Sequence, residues 1–315
     1  MSLRDVVGQE GALRMLLGAR RMGRLASSYL FAGEQGIGKR FAALNFAKAL
    51  NCLDPVDLDA CDGCPSCVKI DSGTHPDFLL VEPDGDQIKV EQVRRLGEAL
   101  SLTAYEAKVK VAVMDDAEAM NPSAANAFLK TLEEPPAASL IILVSSSPDR
   151  LPDTVRSRCS RINFRPLSPG DCEKVMKKSV KKDLSVLVRL SMGRPGLALK
   201  ENLIKERDRC MADLGGGAEG RHAWKDRRDI ERWLEMQMLI IRDMAVAKIT
   251  GGREGLINLD RAEELGRLGE SAALTGIIEG YVKLMELKGR LGFNLNKAIT
   301  WNYAQGVLEE LKGNA

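Results

Sequence analysis

The sequence predicts an α/β domain built on a mostly parallel sheet, followed by two helical segments. Three observations carry that expectation. Short apolar runs of strand character alternate with helix-like stretches up to Arg165-Pro166-Leu167-Ser168-Pro169, where strand signals stop. A glycine-rich run, Gly33-Glu34-Gln35-Gly36-Ile37-Gly38-Lys39-Arg40, falls between one such strand and one such helix. The remainder reads as helix separated by glycine breaks. Strands alternating with helices give a parallel sheet covered on both faces, with ligands at the carboxyl ends of the strands.

Each element has its own warrant. Gly8 to Arg21 places Leu13, Leu16 and Leu17 at helical spacing, and Ser28 to Ala32 is an apolar strand entering the glycine run. Arg40 to Leu50 continues as helix. Further strands are expected at Phe78 to Val81, Val109 to Met114 and Leu140 to Val144, the last of them closing the sheet. Pro122 to Leu132 reads as a helix, with Pro in its first turn and Pro135-Pro136 beyond its end. Asp171 to Val180, Asp183 to Met192 and Pro195 to Arg209 predict short helices, broken by Gly193-Arg194-Pro195-Gly196. Leu214 to Gly220 reads as a flexible linker. Trp224 to Lys248, Leu259 to Leu268, Ala272 to Arg290 and Leu295 to Leu311 are expected helices, with Leu234, Met238, Ile241 and Ala245 as one core-facing stripe. The chain carries no internal repeat.

Composition narrows the class. With 315 residues, 44% hydrophobic and 29% charged, the chain has room for two or three ordinary globular domains. Forty-six Lys and Arg against 44 Asp and Glu leave a net charge of +2, so nucleic acid is neither demanded nor excluded by bulk electrostatics. The longest aliphatic run, Leu140 to Val144, is far short of the roughly 18 residues that span a bilayer. Met1 to Asp5 lacks an apolar signal-peptide core, which points to the cytoplasm. Seven cysteines, four of them between positions 52 and 67, suit metal binding in a reducing compartment better than a disulfide framework.

The glycine run has P-loop spacing: glycines turn backbone N–H groups toward phosphates, and Lys39 reaches the β/γ-phosphates. Arg40 stands where a Ser or Thr hydroxyl would ligate magnesium, and Arg cannot ligate a cation. Val111-Ala112-Val113-Met114-Asp115-Asp116-Ala117-Glu118 is an apolar strand ending in acids, the Walker B form, with Asp115 placed to support Mg²⁺. A working ATPase of this kind carries Glu at position 116, and Asp116 is one methylene shorter. A misplacement of about 1 Å can itself cost roughly 10²-fold in rate. The plainer reading makes Asp115 and Asp116 caps of the following helix. Cys52, Cys61, Cys64 and Cys67 form C-x₈-C-x₂-C-x₂-C, four thiolates for a closed tetrahedral structural zinc with no open position for a water nucleophile. Unconnected buried thiols or a redox pair are the alternatives. His75 is a rival ligand by sequence distance, but a surface or helix-end place explains it better. Two histidines and no nucleophile elbow leave a Ser/His or Cys/His hydrolase without support.

Asn121 to Pro136, which contains Leu132-Glu133-Glu134-Pro135, strongly resembles the clamp-loader branch of the AAA+ ATPases, as do Val6-Val7-Gly8-Gln9 and Ser157-Arg158-Cys159. The four-Cys insertion narrows the resemblance to bacterial clamp-loader subunits. It is dense from residue 6 to 166, looser to 210 and architectural beyond. The resemblance implies an AAA+ P-loop domain with a zinc-binding insertion over residues 1–166, a small helical lid over 167–211 and an all-α oligomerisation collar over 212–315. It implies an ATP or ADP site at Gly33, Gly36, Gly38, Lys39 and Asp115, degenerate and of open occupancy. It matches Arg158 to an arginine that reaches across a subunit interface into a neighbour's ATP, and Ser145-Ser146 to the first nucleotide sensor. Gly196 falls where hydrolysing members carry a second sensor arginine, with Arg194 displaced. The implied partners are the tau/gamma and delta subunits in a hetero-pentamer and, through it, the sliding clamp and primer-template DNA.

Tau/gamma, the motor of the branch, is expected to carry Thr after the P-loop Lys and Asp-Glu in Walker B. Arg40 and Asp115-Asp116 instead point to a companion subunit without ATPase activity of its own. An active clamp-loader ATPase that tolerates Arg40 and a zinc-containing nucleic-acid-binding module stay open. On residues alone, Arg156, Arg158 and Arg161 form a cationic surface beside the sheet. Lys174, Lys177, Lys178, Lys181 and Lys182 read as the wet face of a helix, with a DNA-phosphate role as the alternative.

Overall fold

The computed structural model describes residues 1–215, 224, 227–291 and 296–313. The chain divides into two compact units, Met1–Lys178 with Met192–Leu197, and Ser179–Ser191 with Ala198–Ala315.

The first unit runs α1 (Glu10–Arg21), β1 (Ser28–Ala32), α2 (Lys39–Asn51), α3 (Pro65–Asp71), β2 (Phe78–Val81), α4 (Val90–Ser101), β3 (Lys110–Met114), α5 (Pro122–Glu133), β4 (Ser139–Ser145), α6 (Asp153–Arg156), β5 (Ser160–Asn163) and α7 (Pro169–Met176). Five parallel strands form one sheet in the order β2-β3-β4-β1-β5. β1 and β3 are buried throughout, as continuous apolar strands covered on both faces must be. Alternate residues serve the two faces. Leu30, Ala112, Met114, Ile141 and Leu143 pack with Val93, Leu96 and Leu100 of α4 and Phe128 and Leu132 of α5. On the other face the Tyr29 ring meets Phe46 of α2 edge-on, with centroids 6.4 Å apart. Ala42, Ala43, Ala47 and Ala49 are buried there, and their small side chains let α2 lie close to the sheet.

The three further expected strands match β2, β3 and β4 to within a residue, but β4 does not close the sheet. β5 follows it and pairs with β1 at the edge. Only Ile162 of β5 is buried, so its sequence lacks an apolar run. α4 is a second element the alternation did not mark. Its buried Val93, Leu96 and Leu100 are diluted by charged neighbours on its wet face.

The second unit contains α8 (Leu184–Ser191), α10 (Leu203–Gly215), α11 (Arg227–Thr250), α12 (Ala262–Glu270), α13 (Leu274–Arg290) and α14 (Lys297–Gly313), while α9 (Pro195–Lys200) runs from one unit into the other. The single helix expected from Pro195 to Arg209 is therefore two. Asn202 interrupts it, and its side-chain oxygen accepts from Lys205 N–H at 3.1 Å as a cap for α10. α10 takes in Leu214 and Gly215 of the expected linker, whose other residues lie outside the described ones. α11 packs on α10, α12 and α13, and α13 on α14. Of the expected stripe, Leu234 and Ile241 are fully buried, whereas Met238 and Ala245 lie at its margin. Ile230, Trp233, Ile240 and Met244 complete the buried face.

Candidate functional site

The P-loop leaves β1 at Ala32 and enters α2 at Lys39. Gly33 has φ +151°, and a Cβ there would lie 2.5 Å from the Phe164 carbonyl oxygen. Gly36 has φ +80°, and its carbonyl accepts from Gly196 N–H at 2.8 Å. A Cβ on Gly196 would sit 2.8 Å from that same oxygen. The stretch that falls at the second-sensor position thus packs against the loop backbone to backbone, and Arg194 Nε lies 3.8 Å from Glu34. Gln9, buried in the Val6–Gln9 motif, donates to the carbonyls of Ile37 at 3.3 Å and Arg165 at 2.7 Å. Gly38 caps α2 in a left-handed conformation.

Lys39 is 6% exposed and donates through Nζ to the carbonyls of Gly33 at 2.7 Å and Glu34 at 2.6 Å. Burial lowers its pKa, against the pull of the carboxylates of Glu118, Asp115, Asp116 and Glu34. Arg40 Nη1 donates to Asp115 Oδ2 at 3.1 Å and to Glu82 Oε1. Burial opposes the Arg40 charge, but these two carboxylates outweigh it and raise its pKa. The residue in place of the magnesium-ligating hydroxyl is therefore a cation bonded to the acid that would support the metal.

Asp115 and Asp116 follow β3, and Asp116 takes a left-handed φ of +47°. Ser145 ends β4 beside the loop, where its carbonyl accepts from Gly33 N–H at 3.3 Å. Glu118 Oε1 accepts from Ser146 N–H at 2.9 Å, from Ser147 N–H at 3.1 Å and from the Ser146 hydroxyl. Its Oε2 is buried without a hydrogen-bond partner. Glu82 is a site residue that sequence reasoning missed, and Gln9 and Glu118 stood only as parts of quoted motifs, with no role of their own. An acid three positions after Asp115 was visible as a signal for Glu118, whereas nothing local marks Glu82.

The four cysteines converge. Cys52 follows α2, Cys61 and Cys64 lie in the loop, and Cys67 is in the first turn of α3 behind Pro65. Their sulfur atoms all lie within 4.8 Å of one another, with Cys52 and Cys64 at 3.9 Å. A tetrahedral ion with Zn–S of about 2.3 Å needs sulfurs about 3.8 Å apart, so the set fits a four-thiolate metal. Backbone N–H groups of Cys61 and Cys64 point at the sulfurs of Cys52 and Cys61, each at 3.3 Å. The four can hold a metal ion, and all seven cysteines are free of disulfides. Lys48, fully buried, ties this loop to α3 through Asp62 and Asp71.

His75 is not in this cluster, nor is it at the surface. It is 3% exposed, and its Nδ1 accepts from Asp77 N–H at 3.1 Å. Burial lowers its pKa. Asp77 is 2% exposed and accepts the N–H groups of Tyr105, Glu106 and Ala107, which draws the chain over the histidine.

Arg158 follows α6. Its Nη1 donates to the Thr154 carbonyl at 2.8 Å and its Nη2 to Glu133 Oε1 at 2.6 Å, with the side chain 35% exposed. Arg156 is held by Asp149 and Asp153, and Arg161 donates to the Asn163 amide oxygen at 2.8 Å. Of the five lysines expected on the wet face of a helix only Lys174 lies in one, because α7 ends at Met176; all five are exposed, Lys174 pairing with Asp171 and Lys178 with Asp5.

A P-loop after the first strand, acids after the third and a parallel sheet in this strand order define the AAA+ class of P-loop proteins. A family model described as DNA polymerase III, delta subunit, matches residues 8–168. DNA polymerase III subunit delta' of Bacillus subtilis (strain 168) is 30% identical over 320 residues, covering 96% of this chain and 94% of that protein. Subunit delta' of Pseudomonas aeruginosa is 41% identical over 157 residues, 49% of this chain and 47% of its own length. Subunit tau of Salmonella typhimurium is 35% identical over 163 residues, 52% of this chain and 25% of tau. The chain belongs to the DNA polymerase III delta' subunit family. Among the described residues no helix is long and apolar enough to cross a membrane.

Proposed function

We propose that the chain is the non-hydrolysing subunit of a bacterial clamp loader. It assembles in the cytoplasm with tau/gamma and delta into a hetero-pentamer that loads the sliding clamp onto primer-template DNA. The observation that carries this reading is Arg40, whose guanidinium is bonded to Asp115 and Glu82 where a motor would hold magnesium. The end-to-end match to delta' of Bacillus subtilis, against a match to tau over half the chain, supports the same choice. In this reading Gly33, Gly36, Gly38, Lys39 and Asp115 keep the form of an ATP site that does not turn over. Residues 1–166 are the AAA+ domain, 167–211 the lid and 212–315 the collar. Cys52, Cys61, Cys64 and Cys67 hold a structural zinc ion. Arg158 is the arginine finger for a neighbour's ATP, where a guanidinium stabilises charge on the transferred phosphoryl group.

Mixing the chain with tau/gamma and delta and weighing the product tests the assembly, with one copy in a pentamer expected. Clamp-stimulated hydrolysis should fall in a complex that carries Arg158→Ala at unchanged mass. Failure to assemble, or steady ATP turnover by the isolated chain that Lys39→Ala abolishes, would refute the reading and favour an active tau/gamma-like ATPase.

A further inference from the structure

We propose that Glu133 is a positioning residue that holds the Arg158 guanidinium for its partner's nucleotide. The proposal rests on the reading of Arg158 as a finger supplied in trans. Three arginines crowd this edge of the sheet, and their partners separate them. Arg156 is neutralised by two carboxylates, Asp149 and Asp153. Arg161 leans on the neutral amide of Asn163. Arg158 alone of the three is held by one carboxylate and one backbone carbonyl, Glu133 at the last position of α5 and Thr154 in α6.

That geometry orients a finger without consuming it. A guanidinium is a planar fork with five N–H donors. The two bonds to Glu133 and Thr154 use one hydrogen on each terminal nitrogen, which leaves Nε–H and the second hydrogen on each Nη for phosphate oxygens. The side chain is 35% exposed, so the guanidinium is not sealed inside the fold. A free arginine must order its long side chain each time it engages, whereas one held at two points has lost that freedom beforehand.

The test is clamp-stimulated ATP hydrolysis by the assembled complex, with the chain present as wild type, Glu133→Ala, Glu133→Gln, Arg158→Ala or Glu133→Ala/Arg158→Ala. All are compared at matched pentamer mass and matched melting temperature. Expressing each loss as a share of the Arg158→Ala loss removes the dilution by sites that use other fingers. We expect Glu133→Ala to lower kcat at the affected site by about 3- to 30-fold, the range from a surface ion pair to full loss of arginine ordering, with KM for ATP unchanged. Glu133→Gln keeps an acceptor oxygen and should recover part of the loss. The double variant should match Arg158→Ala alone, because a positioning residue has nothing left to position. If Arg158→Ala itself changes nothing, the finger reading falls and the proposal with it. If Arg158→Ala acts but Glu133→Ala does not, or the two effects add, Glu133 does not work through Arg158. A rise in turnover with Glu133→Ala would mean that the glutamate parks the arginine away from its target, which also overturns the proposal.

Discussion

Replacing Arg40 by Thr tests what the P-loop has become. The change removes a cation bonded to Asp115 and Glu82 and supplies the hydroxyl that a magnesium site lacks. Its cost in stability is small. The Arg40 side chain is 42% exposed and Glu82 52% exposed, and pairs of this kind contribute about 0–1 kcal/mol. Its effect on binding is larger. Two unit charges about 4 Å apart repel by about 1 kcal/mol in water and about 4 kcal/mol at an effective dielectric of about 20, and a divalent ion doubles both values. Solvent around a half-exposed guanidinium favours the lower part of that range, so removing Arg40 should relieve about 2–4 kcal/mol. That corresponds to about 30- to 10³-fold in the magnesium-dependent part of nucleotide affinity.

The assay is titration of the isolated chain with a fluorescent ATP analogue, in magnesium and in EDTA. Arg40→Thr should bind more tightly in magnesium than in EDTA, and the wild type should show little difference between the two. Binding should not bring turnover, because Asp116 remains one methylene short; Arg40→Thr/Asp116→Glu is the variant in which hydrolysis should begin. A wild type that already binds magnesium-ATP as tightly as Arg40→Thr would refute the argument that Arg40 holds the cation's place.

Protein purified without chelator should contain about one zinc per chain, lost together with thermal stability in Cys64→Ala; a metal-free protein of unchanged melting temperature, or a disulfide among the four cysteines, would exclude the metal reading. Gly33→Ala should destabilise by about 2–5 kcal/mol, from backbone strain added to overpacking against Phe164, measured by urea unfolding, and a loss under 1 kcal/mol would contradict the close approach. Burial opposes the Asp77 charge, but N–H groups of Glu106, Tyr105 and Ala107 and the Lys110 ammonium outweigh it and hold the pKa below the usual carboxylate range. A depressed pKa stabilises the fold above the unfolded value of about 4 and is lost as pH falls through the folded value. Asp77→Asn should therefore be less stable than wild type at pH 7 by about 1–3 kcal/mol, with the gap closing as pH drops below 4, as read by unfolding at each pH.

How much of this was legible in the sequence depended on whether the signal was local. β1, β3 and β4 announce themselves because central parallel strands are apolar on both faces. β5 shows one buried residue, Ile162, and takes its place from pairing with β1, which no local pattern encodes. The four thiols were readable because their spacing confines them to one loop. His75 was misplaced because its burial is imposed from far along the chain, by the Tyr105–Ala107 backbone gathered on Asp77. Arg40 was readable as a residue of the wrong kind at a known position. Its bond to Glu82 was not, since the two meet only when β2 and α2 fold onto the same sheet.

The glycines of the P-loop carry a further step. Their retention beside Arg40 looks contradictory if phosphate binding is their only purpose. The structure supplies a second one: Gly33 lies too close to the Phe164 carbonyl for any side chain, and Gly36 receives Gly196 backbone to backbone. Each contact is a packing requirement that holds whether or not a nucleotide enters. A subunit that stopped hydrolysing could therefore lose its magnesium hydroxyl and its Walker B glutamate without penalty to the fold, while losing a glycine would break the joint between β1, the exit of β5 and the Met192–Leu197 segment. The glycines answer to the fold, whereas the side chains at positions 40 and 116 bear on magnesium and water, so the glycine run by itself does not report turnover.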